Sequence, residues 1–122
     1  MATQRIPIAV LVPSERSLEK AAVEKAKRMI DSTNVKPPRV VRIGDHFYVR
    51  DGNHRIMAAK QLGRDSVDCR VEDHEPKPNV ADFDEDDCRE AVALGYLGFE
   101  KVRVGSRQDK MKVYKDEDES LF

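Results

Sequence analysis

The residues best equipped for chemistry in this chain are contiguous: Asp51, Gly52, Asn53, His54 and Arg55. They follow residues 46–50, which read as a strand, and precede an alanine-containing stretch with Ile56, Ala59 and Leu62 on one side. The expected path is a strand, a sharp turn and a helix. The first N–H groups of a helix lack intrahelical partners and sit at the positive end of its dipole, which suits phosphate. Gly52 permits a left-handed turn and a close approach between backbone and ligand. Arg55 can grip a phosphate with two parallel hydrogen bonds, and His54 adds a titratable donor at the same end. Asp51 could hold a metal ion, orient the loop or act as a base. The same residues also suit an ordinary turn, with Asn53 or Asp51 as a simple helix cap.

Other reactive residue types are less well placed. Cys69 alternates with Val67 and Val71, so all three share one strand face and Cys69 reads as a small core residue. Cys88 lies among acids, which raise a thiol's pKa and oppose a nucleophilic role. Neither cysteine belongs to a C-x-x-C pair, and His46, His54 and His74 lack ligand spacing, so no zinc site is expected. The acids at residues 84–87 lack the glycine and alternate spacing of a calcium loop; they read as the solvated start of a helix. Lys20, Lys25, Lys27 and Arg28 are interspersed with Glu19 and Glu24, which makes an exposed face rather than a nucleic-acid contact.

The elements that must position the turn can be read around it. An apolar run at residues 6–12, with Pro7 near its start and Pro13 at its end, predicts a strand. Residues 14–17 read as a helix start, with Ser17 as N-cap and Glu19 in the first turn. Leu18, Ala22, Ala26, Met29 and Ile30 then recur at helical spacing. The Pro37-Pro38 pair forces an extended lead into a strand at residues 39–43, and Gly44-Asp45 makes a hairpin with the strand at 46–50. Gly63 supplies the C-cap of the helix after the turn, and residues 66–71 form another strand. Beyond them, residues 72–78 suit a loop. A helix starting within residues 82–90 carries Val92, Leu94, Tyr96 and Leu97, its length limited by Gly95 and Gly98. Residues 101–104 and 111–114 could pair as a hairpin, and residues 116–122 form an acidic tail.

The chain has 122 residues, enough for one domain with its own core. Charged residues make up 37% and the net charge is -1, so the molecule as a whole does not attract nucleic acid and only a local basic face could. No stretch approaches a membrane span, and no signal-peptide pattern opens the chain, so a cytoplasmic protein without a membrane role is expected.

Residues 48–63, Tyr-Val-Arg-Asp-Gly-Asn-His-Arg-Ile-Met-Ala-Ala-Lys-Gln-Leu-Gly, resemble the signature of the ParB/sulfiredoxin superfamily. That signature is a Gly-x-(His/Arg)-Arg turn followed by an alanine-rich helix ending at Leu-Gly. The resemblance covers about residues 5–72. It implies an α/β (α+β) fold, a small mixed sheet with packed helices. The chain then divides into a nucleotide-binding core, residues 1–72, and an extension, residues 73–122, packed on the same domain. Members include partitioning proteins that bind CTP, sulfiredoxins that use ATP, free-serine kinases and ParB-like nucleases.

The branches differ at the turn. Sulfiredoxins place their reactive cysteine directly before the His-Arg pair; Asn53 stands there in this chain, so sulfinic-acid reduction is not expected. Partitioning proteins carry an acid and two arginines; here Asn53 and His54 fill two of those places, and no later helix-turn-helix fits, so centromere binding is not expected either. The serine-kinase turn, Asp-Gly-His-His-Arg, differs at one residue, and its glutamate after the first strand resembles Glu15 in position. The resemblance therefore implies ATP or CTP with Mg²⁺, phosphates on Gly52, Asn53, His54 and Arg55, and Glu15 or Asp51 as the base. The reaction would be phosphoryl transfer or phosphodiester hydrolysis. The alternatives are a non-catalytic DNA-associated or regulatory module with a DNA or protein partner, of phage or mobile-element type, and a structural domain with an empty site. For Glu15 the plain alternative is a solvated charge.

Overall fold

The computed structural model describes residues 2–74 and 83–106. The expected acidic tail and the second strand of the expected C-terminal hairpin lie outside these residues. In chain order the elements are β1 (Gln4–Pro7), a 3-10 turn (Ile8–Val10), β2 (Leu11–Val12), β3 (Ser17–Glu19) and α1 (Lys20–Met29). They continue with β4 (Arg39–Ile43), β5 (His46–Asp51), α2 (Asn53–Gln61) and β6 (Ser66–Glu72). The last are α3 (Phe83–Ala93), a 3-10 turn (Leu97–Phe99) and β7 (Arg103–Gly105).

The main sheet has the order β1-β6-β4-β5-β2 and mixes directions. β1 with β6 and β4 with β5 are antiparallel; β4 with β6 and β2 with β5 are parallel. The expected small mixed sheet with packed helices is what forms.

The apolar run at residues 6–12 is not one strand. It supplies both edges of the sheet, β1 on one side and β2 on the other. Pro7 has no N–H to extend a ladder. The Ile8 N–H turns instead to the Asp65 carbonyl at 2.8 Å, and the three residues Ile8–Val10 coil into a 3-10 turn. Pro7 and Leu11 are four residues apart and can be separated by roughly 14 Å at most. The two edges are therefore close, and the sheet curls.

The helix start also differs from the expectation. Ser17–Glu19 is a strand, paired in parallel with β7 from Ser17↔Arg103 to Glu19↔Gly105. The helix begins at Lys20, and Glu19 at its N-cap makes no side-chain capping bond. Ser17 is fully buried and its hydroxyl has no hydrogen-bond partner among the described residues, so it caps nothing. The buried stripe of α1 is set by Val23, with Ala26 and Ile30 packed beside it, while Met29 is 40% exposed.

Adjacent residues in the strands face opposite sides, and both sides are covered. Leu11, Val40 and Val49 join Val23, Ile56, Cys69 and Phe99 in one cluster, under α1 and α2. Val12, Val41 and Tyr48 join Cys88, Ala91 and Tyr96 in a second cluster, under α3. The strand period of two thus makes a layered structure with helices on both faces. Each fully buried Val or Leu side chain contributes about 1.5–3 kcal/mol.

Two glycines stop helices as expected. At the end of α2, Gly63 is left-handed, its N–H bonds the Lys60 carbonyl, and the Arg64 N–H bonds the Ala59 carbonyl. α3 ends at Ala93, before the left-handed Gly95, so Leu94, Tyr96 and Leu97 lie beyond it rather than on it. Residues 103–105 do form a strand, but its partner is β3. Among the described residues no helix is long and apolar enough to cross a membrane.

Candidate functional site: the turn from β5 into α2

The β4–β5 hairpin, closed by the left-handed Gly44, holds one register as far as Val40↔Val49, then shifts to pair Arg39 with Asp51 and so delivers the chain to the turn. Gly52 is the N-cap of α2 at φ 110°, ψ 19°. A Cβ at Gly52 would stand 2.7 Å from Cβ of Pro38 and 2.9 Å from its Cα. Both the left-handed backbone and the space require glycine. The close approach that needs it is to Pro38, the second proline of the pair leading into β4. No side chain caps α2 at Gly52. Gly52 itself holds the N-cap position, so neither Asn53 nor Asp51 does.

Asn53 has a different task. It is 4% exposed, its Oδ1 accepts from the Ser14 N–H at 3.0 Å, and its Nδ2 donates to Ser14 Oγ at 2.8 Å. Both ends of the side-chain amide are engaged in clamping the β2–β3 loop onto the start of α2. The clamp places Glu15, half-buried and next to Ser14, on the loop docked at the turn. Sequence reasoning treated Ser14 only as part of a helix start. The signal for its role was the Asn two residues after Asp51, whose amide needs a buried donor and acceptor together.

Arg55 projects from the first turn of α2. It donates through Nη1 to the Lys36 carbonyl and through Nη2 to Asp51 Oδ2 at 3.2 Å. Asp51 is thus an exposed carboxylate with a cationic neighbour. His54 is half-buried beside it. Asp51, Gly52, Asn53, His54 and Arg55 therefore form one patch, with Glu15 joined to it through Ser14.

The cysteines stand apart from this patch. Both are buried free thiols, and burial pushes each pKa up to about 11. For Cys69 the neighbouring Asp68 adds to the rise and Arg55 opposes it; for Cys88, Arg89 opposes it and Glu85 adds. At neutral pH they remain thiols rather than nucleophilic thiolates. The acids of α3 are not simply solvated. Asp84 Oδ2 accepts from Nε and Nη2 of Arg50 at 3.0 Å, and Asp87 accepts from the Tyr48 hydroxyl at 3.2 Å, which ties α3 to β5. Burial and the adjacent Asp87 raise the Tyr48 pKa far above its ordinary value. Among the described residues no cluster of three or more His, Cys, Asp or Glu is placed to hold a metal ion.

No protein-family model matches the chain, and no curated protein matches it by sequence. Solved structures match by fold. A free serine kinase in complex with AMP superposes with a TM-score of 0.53 at 18% identity, covering 59% of this chain and 31% of its own. Sulfiredoxin from Arabidopsis thaliana gives 0.52 at 19% identity, covering 61% and 88%. The truncated chromosome-partitioning protein ParB from Caulobacter crescentus, complexed with CTP-gamma-S, gives 0.50 at 17% identity, covering 80% and 63%. The chain thus has the ParB/sulfiredoxin fold. It spans under a third of the free serine kinase, and at these identities the likeness is one of architecture.

Proposed function

We propose that this protein binds a nucleotide, ATP or CTP, with its phosphates at the first turn of α2. The observation that carries this reading is the left-handed Gly52, which opens α2 with no side chain of its own, while the Ser14–Glu15 loop is docked beside it. Backbone N–H groups of Asn53, His54 and Arg55 would receive phosphate oxygens, with the imidazole of His54 and the guanidinium of Arg55 adding charge. Support also comes from the company the fold keeps, since solved neighbours carry AMP, ADP and CTP-gamma-S. A Mg²⁺ ion riding on the phosphates needs only one or two protein carboxylates. Asp51 and Glu15 fit that need, and when bound the ion would offset phosphate charge.

Catalysis is the finer part of the proposal. Glu15 or Asp51 would take the proton from an attacking hydroxyl or water, in phosphoryl transfer or phosphodiester hydrolysis. The second reading is a non-catalytic regulatory or DNA-associated module. The observation that favours it is the Asp51–Arg55 ion pair, which engages one of the two candidate bases.

The test is thermal unfolding in the presence of ATP, CTP, GTP and their diphosphates, with and without Mg²⁺. A ligand at a hundred times its Kd stabilises the fold by about 2.7 kcal/mol, equivalent to several degrees in Tm. A chain whose Tm is unmoved by every nucleotide at millimolar concentration does not bind one.

A further inference from the structure

A cleft of about 480 Å³ opens on the other side of Arg55, among β1, β6, the loop after α1 and the flank of α2. None of Glu15, Asp51, Gly52, Asn53 and His54 lines it. Part of its lining is apolar, from Ile30, Val35, Pro38, Ala59 and Val67. Four cations from distant parts of the chain, Arg5, Lys36, Arg55 and Arg64, converge on it against two carboxylates, Asp31 and Asp68, leaving the lining at a net charge of +2.

Each of the three arginines already has a partner. Arg64 Nη2 lies 3.0 and 3.1 Å from the two oxygens of Asp31. Arg5 Nε lies 3.3 Å from Asp68, and Arg55 is held by the Lys36 carbonyl and Asp51. A guanidinium has five N–H donors in a fixed fork, and these partners use only some of them. The remaining donors are presented beside the apolar walls of the cleft. The size lies within the range of pockets for small molecules.

We propose that this cleft is a second ligand site, for a small multivalent organic anion: a carboxylic acid or phosphate ester of a few carbons. Its oxygens bind the free donors of Arg5, Arg55 and Arg64 and the ammonium of Lys36, and its carbon skeleton rests on Ile30, Pro38 and Val67. The inference goes beyond the nucleotide reading, and because Arg55 borders both sites the test rests on Arg5, Arg64 and Lys36 instead.

The test is an NMR titration of the full chain with citrate and, separately, with glycerol phosphate, following backbone amides. Saturable shifts at Arg5, Lys36 and Asp68 are expected with at least one probe, and the responding probe tells carboxylate from phosphate ester. The R5Q/R64Q double variant should bind about tenfold or more weakly, because it removes two charge-assisted donors. K36Q, which leaves both ion pairs in place, should weaken binding severalfold and guards against misfolding of the double variant. Shifts that rise linearly without saturating for both probes would overturn the proposal. So would affinity unchanged in K36Q and in a folded double variant, or shifts confined to residues 52–55.

Discussion

Asn53 and Arg55 sit in the same helical turn, yet their side chains face different demands, and substitution should separate them. Truncating Asn53 leaves the Ser14 N–H and hydroxyl without partners in a partly buried place. Asn53→Ala should therefore destabilise the fold by about 1–3 kcal/mol, measured by urea unfolding. Arg55 holds only a carbonyl and a carboxylate near the surface. Arg55→Ala should leave the fold standing and weaken ATP or CTP by roughly 1.5–3 kcal/mol in calorimetry, the range for a hydrogen bond to a charged group. Unchanged affinity in folded Arg55→Ala would move the phosphates away from this turn. Gly52 admits no such dissection, because Pro38 fills the space where any side chain would begin.

At the scale of elements, what was legible in the sequence is what short-range chemistry decides. Gly44-Asp45 closes the β4–β5 hairpin, Gly52 bends β5 into α2, and Gly63 ends α2, each through a backbone angle that glycine alone adopts easily. Missed features have partners far along the chain. Ser17–Glu19 is a strand only because β7 lies beside it, and no local pattern announces a ladder with Arg103. The run at residues 6–12 breaks because its two halves serve opposite edges of the sheet, a property of the curl rather than of the seven residues. Asn53 was legible as a residue with a polar task, but Ser14 as its partner was not. Charge also knits strands together: Glu72 on β6 meets Arg39 of β4 at 3.1 Å and Arg50 of β5 at 3.6 Å. Burial works to raise the Glu72 pKa, but the hydrogen bond and charge of Arg39, with Arg50 and Arg70, outweigh it and bring the pKa below 4.5. A lowered folded pKa adds stability that is complete above the unfolded value and is lost as pH falls through the folded one. Glu72→Gln should therefore destabilise the protein at neutral pH, by about 1 kcal/mol for a partly exposed cluster. The difference from the parent should shrink on acidification below pH 4.5. Urea unfolding of both proteins across that range checks it; a constant difference would show that the ion pairs contribute nothing pH-linked.

Over the whole molecule, the question is whether the many basic residues can serve nucleic acid. The net charge is -1. Among the described residues six arginines are matched individually: Arg5 with Asp68, Arg16 with Glu90, Arg39 with Glu72, Arg50 with Asp84, Arg64 with Asp31 and Arg89 with Glu85. Nonspecific affinity for duplex DNA comes from cations that neutralise phosphates and release counterions, and an arginine already paired with a carboxylate must give up that partner first. Such pairing works against nonspecific DNA binding by these arginines. Binding to a labelled duplex, followed by fluorescence anisotropy at physiological salt, should be no tighter than about 10⁻⁴ M, the weak end of nonspecific binding. It should also change little with salt, because few phosphates are neutralised. Submicromolar affinity with a steep salt dependence would contradict this and would favour the DNA-associated reading of the fold over the nucleotide-binding one.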